Sequence, residues 1–117
     1  QDENLLQMHT FPCENGDEFP KNQYTKWFDY DRIKGTLSLR HRQPGDYLTL
    51  PSGGRKTLKS WMIDEKIPRQ EREQIWLLAE EKHILWIVGH RISAYYKITE
   101  QTKTILEVEF NGGKSSG

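Results

Sequence analysis

Turn-forming residues punctuate this chain so closely that long helices are excluded from most of it. Lys34-Gly35, Gln43-Pro44-Gly45-Asp46, Pro51-Ser52-Gly53-Gly54, Pro68 and Gly89 each interrupt a regular segment. Glycine takes backbone angles that other residues avoid, and proline lacks the amide donor that helices and ladders use. The segments between are short. Residues 36–40 alternate, with Leu37 and Leu39 on one face, the period of a half-buried strand. Residues 47–50 are the next strand candidate. Residues 75–79 and 84–88 are apolar runs separated by Glu80-Glu81-Lys82-His83, and their β-branched and aromatic content predicts a hairpin. Residues 95–99 and 104–110 are expected to form a last strand pair. Residues 5–11 read as an edge strand, residues 12–23 as a loop, and residues 28–31 alternate before the turn at Lys34-Gly35.

One helix is expected near residues 57–66. There Leu58, Trp61, Met62 and Glu65 have i, i+3, i+4, i+7 spacing, and the first three make an apolar stripe. Pro68 ends it and opens a short turn at 69–73. The predicted fold class is α+β: mostly antiparallel strands in a layered, sandwich-like arrangement with one short helix.

The 117 residues suffice for one compact domain of modest core. Only 34% are apolar, but four Trp, five Tyr and four Phe supply large buried surfaces. No apolar run approaches the roughly 20 residues of a membrane span. The single cysteine, Cys13, excludes an internal disulfide and a Cys-rich zinc site, and fits the cytoplasm. The chain opens on Gln rather than Met and ends in the glycine- and serine-rich residues 111–117, so a fragment of a longer protein is expected, with that end as a flexible tail.

The net charge of zero hides a pattern. Residues 1–36 carry four basic and seven acidic groups, residues 37–72 eight and four, and residues 73–110 four and six. A basic middle between acidic flanks suits a polyanion-binding face, and it equally suits an ordinary solvated surface. Within it, Lys56, Lys59 and Lys66 are placed on the polar side of the predicted helix. Arg69 and Arg72 are three apart in the following turn, and Arg40 and Arg42 share a strand face by the period of two. Guanidinium groups fork onto phosphate oxygens, but the same side chains can pair with Glu71, Glu73 or Asp64.

Other constellations are weak. Ser52-Gly53-Gly54 could cradle an anion, yet a Walker pattern is absent and a glycine turn is the plainer reading. His9, His41, His83 and His90 lack metal-ligand spacing, and no catalytic set stands out. Trp61 and Trp86 sit among apolar neighbours and are expected in the core rather than stacked on bases.

The run Arg40-His41-Arg42-Gln43-Pro44-Gly45-Asp46 carries a resemblance. So do the Lys-bearing segment 56–63, Lys66-Ile67-Pro68-Arg69-Gln70-Glu71-Arg72 and Trp86-Ile87-Val88-Gly89-His90-Arg91-Ile92-Ser93. In this order and spacing, over about residues 27–110, the chain resembles the C-terminal domain of bacterial tRNA(Ile)-lysidine synthetase. One departure is Trp76, where the family has proline after Ile75. A restored amide donor there is expected to extend the strand by a residue.

The resemblance implies a tRNA-binding domain over residues 27–110, preceded at 1–26 by the tail of another region. A similar fold is implied in the β chain of phenylalanyl-tRNA synthetase. It implies a cytoplasmic parent ligase that uses ATP, with magnesium, to join lysine to the wobble cytidine of an isoleucine tRNA. Catalysis would belong to an N-terminal nucleotide domain with a Ser-Gly-Gly-x-Asp-Ser loop, which this chain lacks, so no catalytic residue, metal or cofactor is assigned here. The implied partners are the acceptor stem of isoleucine tRNA and the parent's own catalytic domain; no membrane is implied, and a homodimer is left open. The basic positions that coincide with family motifs are Lys56, Lys59, Arg69, Arg72, Arg40, Arg42, Lys66 and Arg91, with the first four expected to be most exposed. The rival readings are a free-standing RNA- or protein-binding module, an enzyme using the glycine loop and Lys56, and a purely structural domain.

Overall fold

In the computed structural model, which describes residues 5–14 and 18–112, strands dominate and helices are short. Nine strands run in chain order: β1 Leu6–Pro12, β2 Thr25–Asp29, β3 Leu37–Arg40, β4 Tyr47–Thr49, β5 Arg55–Thr57, β6 Leu77–Glu80, β7 His83–Ile87, β8 Arg91–Ile92 and β9 Thr104–Phe110. Two helices, α1 Leu58–Asp64 and α2 Arg69–Arg72, lie between β5 and β6. The elements divide into two compact units, one of residues 1–32 with 97–117 and one of residues 33–96.

The first unit is a three-stranded antiparallel sheet, β1-β9-β2. Its central strand buries Leu106, Val108 and Phe110 at alternate positions, the period of two expected of a pleated chain. Across the ladder Phe28 stands opposite Leu106. On the other face Glu107 accepts from the Trp27 indole at 3.3 Å and lies 2.8 Å from His9 Nε2. β1 lies at the sheet edge, as its sequence suggested. Strand β2 stops at Asp29, two residues before the alternation ends. The Asp29 carboxylate accepts the Asp31 amide at 3.0 Å and turns the chain into a 3-10 turn at Tyr30–Arg32, the local competition that short acidic side chains offer a ladder.

The expected pairing of 95–99 with 104–110 does not form. Ala94–Tyr96 is a 3-10 turn, and Thr99 and Thr102 close a loop through Thr99 N to Thr102 Oγ1 at 2.9 Å. Both edges of β9 are already taken by β1 and β2. Of the expected tail 111–117, residues 113–117 lie outside the described residues, as do 15–17 of the predicted loop.

The second unit holds a six-stranded mixed sheet in the order β3-β6-β7-β4-β5, with β8 folded back on β7. The predicted hairpin is β6–β7, with a register irregularity between Leu78 and Ala79. Gly89, at φ +83°, makes the reversal into β8, a strand of two residues too short to announce itself in sequence. Strand β5 was also missed. Its residues Arg55, Lys56 and Thr57 show no apolar alternation, yet they pair with Thr49, Leu48 and Tyr47. Strand β6 begins at Leu77, so Trp76 does not lengthen it; instead the Trp76 carbonyl accepts the Val88 amide at 3.0 Å.

Helix α1 starts where Thr57 accepts the Ser60 amide at 3.1 Å, a side-chain cap that satisfies one orphan donor. It buries Leu58, Trp61 and Met62, the predicted stripe, against Leu48, Ile67, Leu77, Ala79, Ile84 and Ile87. Trp61 and Trp86 are both core residues, at 4% and 0% exposure. The Lys66 backbone, at φ +58°, reverses the chain after α1, and its amide donates to Ile63 O at 3.0 Å. Pro68 then opens the single turn of α2.

Candidate nucleic-acid interface

The second unit gathers cations from three places in the chain around one hollow. Arg42 follows β3, Lys59 lies on the exposed side of α1, and Arg69 and Arg72 come from α2. With Glu73 they line a cavity of about 410 Å³. A second hollow of about 520 Å³ shares Arg42, Lys59 and Glu73 and continues along the Gln43–Asp46 turn to the start of α1.

Each cation is held differently. Arg72 Nε donates to the Ile67 carbonyl at 2.8 Å, which fixes its guanidinium beside the chain reversal. Arg42 contacts Glu73 Oε2 through Nε at 2.9 Å and Nη2 at 2.7 Å, and rests Nη1 at 4.0 Å from the Met62 sulfur. Lys59 and Arg69 are exposed. The arrangement suits anions whose oxygens are spread over several ångströms, since planar guanidinium forks and a mobile ammonium present donors from different directions.

The remaining basic candidates are not part of this hollow. Arg40 forms a two-pronged pair with Asp46, Nη1 to Oδ2 and Nη2 to Oδ1 at 2.9 Å each, and also donates to the carbonyls of His41 and Glu81. Arg40 and Arg42 therefore do not act together. Lys56 lies on β5 rather than on the polar side of the helix, and its ammonium pairs with Asp64. Asp64 is thus taken by a lysine rather than by one of the arginines. Both Lys56 and Arg72 are half-buried, so the most exposed of the eight are not the four expected. Lys66 and Arg91 are exposed but line neither hollow. Of the carboxylates that the sequence offered to the arginines, Glu73 is the one that meets a guanidinium of the hollow, that of Arg42.

The amides of the glycine loop are engaged within a turn. It is the β4–β5 turn, where Gly53 N donates to Leu50 O at 2.8 Å and Leu50 N donates to Gly54 O at 2.8 Å, and Gly54 N faces Ser52 Oγ at 3.5 Å. These contacts occupy the Gly53 and Gly54 amides, the donors that a glycine loop offers an anion. Among the described residues no group of three or more His, Cys, Asp or Glu is placed to hold a metal ion. Among the described residues no helix is long and apolar enough to cross a membrane.

Elsewhere in the unit, Glu80 accepts Tyr96 Oη at 2.7 Å, Lys34 N at 2.7 Å and Gly35 N. Burial works to raise the Glu80 carboxyl, but these hydrogen bonds together hold it below the usual carboxylate value. Burial, and then the Arg55 charge, push His83 below its ordinary value, and burial with the Glu80 contact pushes Tyr96 upward. The Trp76 and His41 rings lie against each other at a tilt of 31°, with centroids 4.1 Å apart.

Comparison with known proteins adds the rest. A sequence model described as the TilS substrate C-terminal domain matches residues 37–109. The chain is 45% identical over 95 residues to a tRNA(Ile)-lysidine synthase of Caldanaerobacter subterraneus subsp. tengcongensis, covering 80% of this chain and 20% of that one. It is 40% identical over 97 residues to the enzyme of Clostridium tetani, covering 82% and 21%. It is 36% identical over 107 residues to that of Dehalococcoides mccartyi, covering 91% and 23%. The chain thus spans about a fifth of the length of these relatives. A crystal structure of a TilS C-terminal domain superposes with a TM-score of 0.64 at 27% identity, over 92% of this chain and 85% of that one. In sequence and in fold, this chain belongs to the TilS C-terminal domain family.

Proposed function

We propose that this chain is the RNA-gripping part of a tRNA(Ile)-lysidine synthetase, holding the phosphate backbone of isoleucine tRNA, chiefly at its acceptor stem. The observation that carries the reading is the convergence of Arg42, Lys59, Arg69 and Arg72 on one hollow. A-form RNA offers phosphates and 2′-hydroxyls over a shallow minor groove, so a stem is held mainly by shape and backbone contact. A reader of that kind needs a few placed cations rather than a high net charge, which accords with a chain whose charges balance. The parent enzyme would use ATP and magnesium in its own nucleotide domain to join lysine to the wobble cytidine, in the cytoplasm, and this domain would supply grip and no reacting group.

The test is a titration of the chain against isoleucine tRNA and an unrelated A-form stem at several salt concentrations. Lys59→Ala and Arg69→Ala should each weaken binding to both RNAs and lower the salt slope by about one unit, with melting temperature as the folding control. Unchanged affinity and slope in both variants would remove RNA from this face.

A further inference from the structure

One carboxylate sits inside the cationic hollow. Glu73 is the acidic member of a lining otherwise made of Arg42, Lys59, Arg69 and Arg72, and it also lines the adjoining hollow. Its Oε2 takes both Arg42 donors, Nε at 2.9 Å and Nη2 at 2.7 Å. The two partners are unequal in exposure: the Glu73 side chain is 63% exposed, that of Arg42 28%. Arg42 is therefore fixed in the wall, beside the Met62 sulfur, while the carboxylate lies on it from the solvent side. An exposed pair of this kind contributes little to stability and exchanges readily. The position that Glu73 occupies on the guanidinium fork is the position a phosphodiester oxygen pair would take.

We propose that Glu73 is a built-in competitor for phosphate at Arg42, displaced when a polyanion docks, so that weakly bound or isolated anions are rejected and a multidentate backbone is admitted. The inference rests on the reading of this hollow as a phosphate-backbone site, and it adds a discriminating element to it. A single phosphate gains too little at Arg42 to displace the carboxylate. A strand that also engages Lys59, Arg69 and Arg72 gains enough from those contacts to do so. The result is a threshold: affinity falls by a similar factor for every anion that uses Arg42, and only one held by further contacts stays bound.

The experiment compares the parent chain with Glu73→Gln, using two probes: a short A-form RNA duplex and inorganic tripolyphosphate. Glu81→Gln, which removes the same charge at the rim of a different hollow, is the control. Glu73→Gln should bind both probes about threefold to fivefold more tightly. The salt slope for RNA should change little, because Arg42 meets a phosphate in both proteins once the carboxylate is displaced. The gain should shrink in an Arg42→Gln background, and Glu81→Gln should show none. Tighter tripolyphosphate binding with no RNA binding by either protein would uphold the competitor and overturn the RNA reading. RNA binding unchanged by Glu73→Gln in a protein that melts like the parent would overturn the competitor and leave the RNA reading standing. An equal gain in Glu81→Gln would also overturn it, by reducing the effect to net charge. Glu73→Ser supplies a second substitution of the same exposed position.

Discussion

Replacing Asp46 with alanine should be among the most damaging single changes to the second unit. Its side chain is 1% exposed and accepts three hydrogen bonds: from Arg40 Nη1 and Nη2 at 2.9 Å each and from the Gln43 amide at 2.8 Å. Arg40 in turn donates to the carbonyls of His41 and Glu81, at 2.9 and 2.6 Å, so one guanidinium ties the end of β3 to the β6–β7 turn. Asp46→Ala leaves that guanidinium, 16% exposed, without its counter-ion, a change that costs about 3–5 kcal/mol. For a chain of this size the loss corresponds to a fall in melting temperature of about 15 °C or more. Thermal and urea unfolding followed by tryptophan fluorescence measure it. Adding Arg40→Met should recover part of the loss, because the penalty lies in the stranded charge rather than in the missing pair. A fall of less than about 5 °C, or a double variant less stable than Asp46→Ala, would refute this account of Arg40 and return it to the list of RNA contacts.

Trp61→Ala should cost about 3–5 kcal/mol, because the indole is buried with Leu58 and Met62; a variant that melts like the parent but loses RNA binding would make Trp61 a stacking residue. The chain should lose stability on acidification in two windows. The first lies just below the ordinary histidine value of 6.5, where the unfolded chain takes up a proton that His83 resists. The second runs from the ordinary carboxylate value of 4.5 downward through the lowered Glu80 value, where protonation removes its stabilising hydrogen bonds. Urea midpoints between pH 8 and 3 read both, and His83→Gln should flatten the first window alone.

The elements that were legible in sequence are those in which the chain's own periodicity decides the outcome. The Leu58, Trp61, Met62 stripe, the β6–β7 apolar runs and the breaks at Pro68 and Gly89 all have local causes. What was not legible depends on partners distant in sequence. Strand β5 is polar and forms because β4 offers it a ladder edge, which moved Lys56 off the helix. The apolar residues near Tyr95 and Tyr96 looked like a strand, yet both edges of β9 were already filled. At the site, Arg40 and Arg42 were equivalent by the period of two, and only the fold shows one facing buried Asp46 and the other facing Glu73. Spacing identifies which cations lie near one another in the chain; it does not identify which carboxylate each will meet.

The strand order of the first sheet also governs when that sheet can exist. Strand β9 is its centre, and every ladder in it joins residues from one end of the chain to residues 104–110 from the other, as in Thr25 opposite Glu109. During synthesis β1 and β2 emerge before β9 and have no partner in this sheet until residues 104–110 have been made. Residues 33–96, contiguous and with a core of their own, have no such delay. Pairings across so long a separation form slowly because a large loop must close first. Until then β1 and β2 present open edges, the condition under which strands of neighbouring chains pair with one another instead. A ribosome-bound chain stalled before residue 104 would thus carry residues 33–96 folded and β1 and β2 unpaired. Protease should clip such a chain within β1 or β2 and spare residues 33–96.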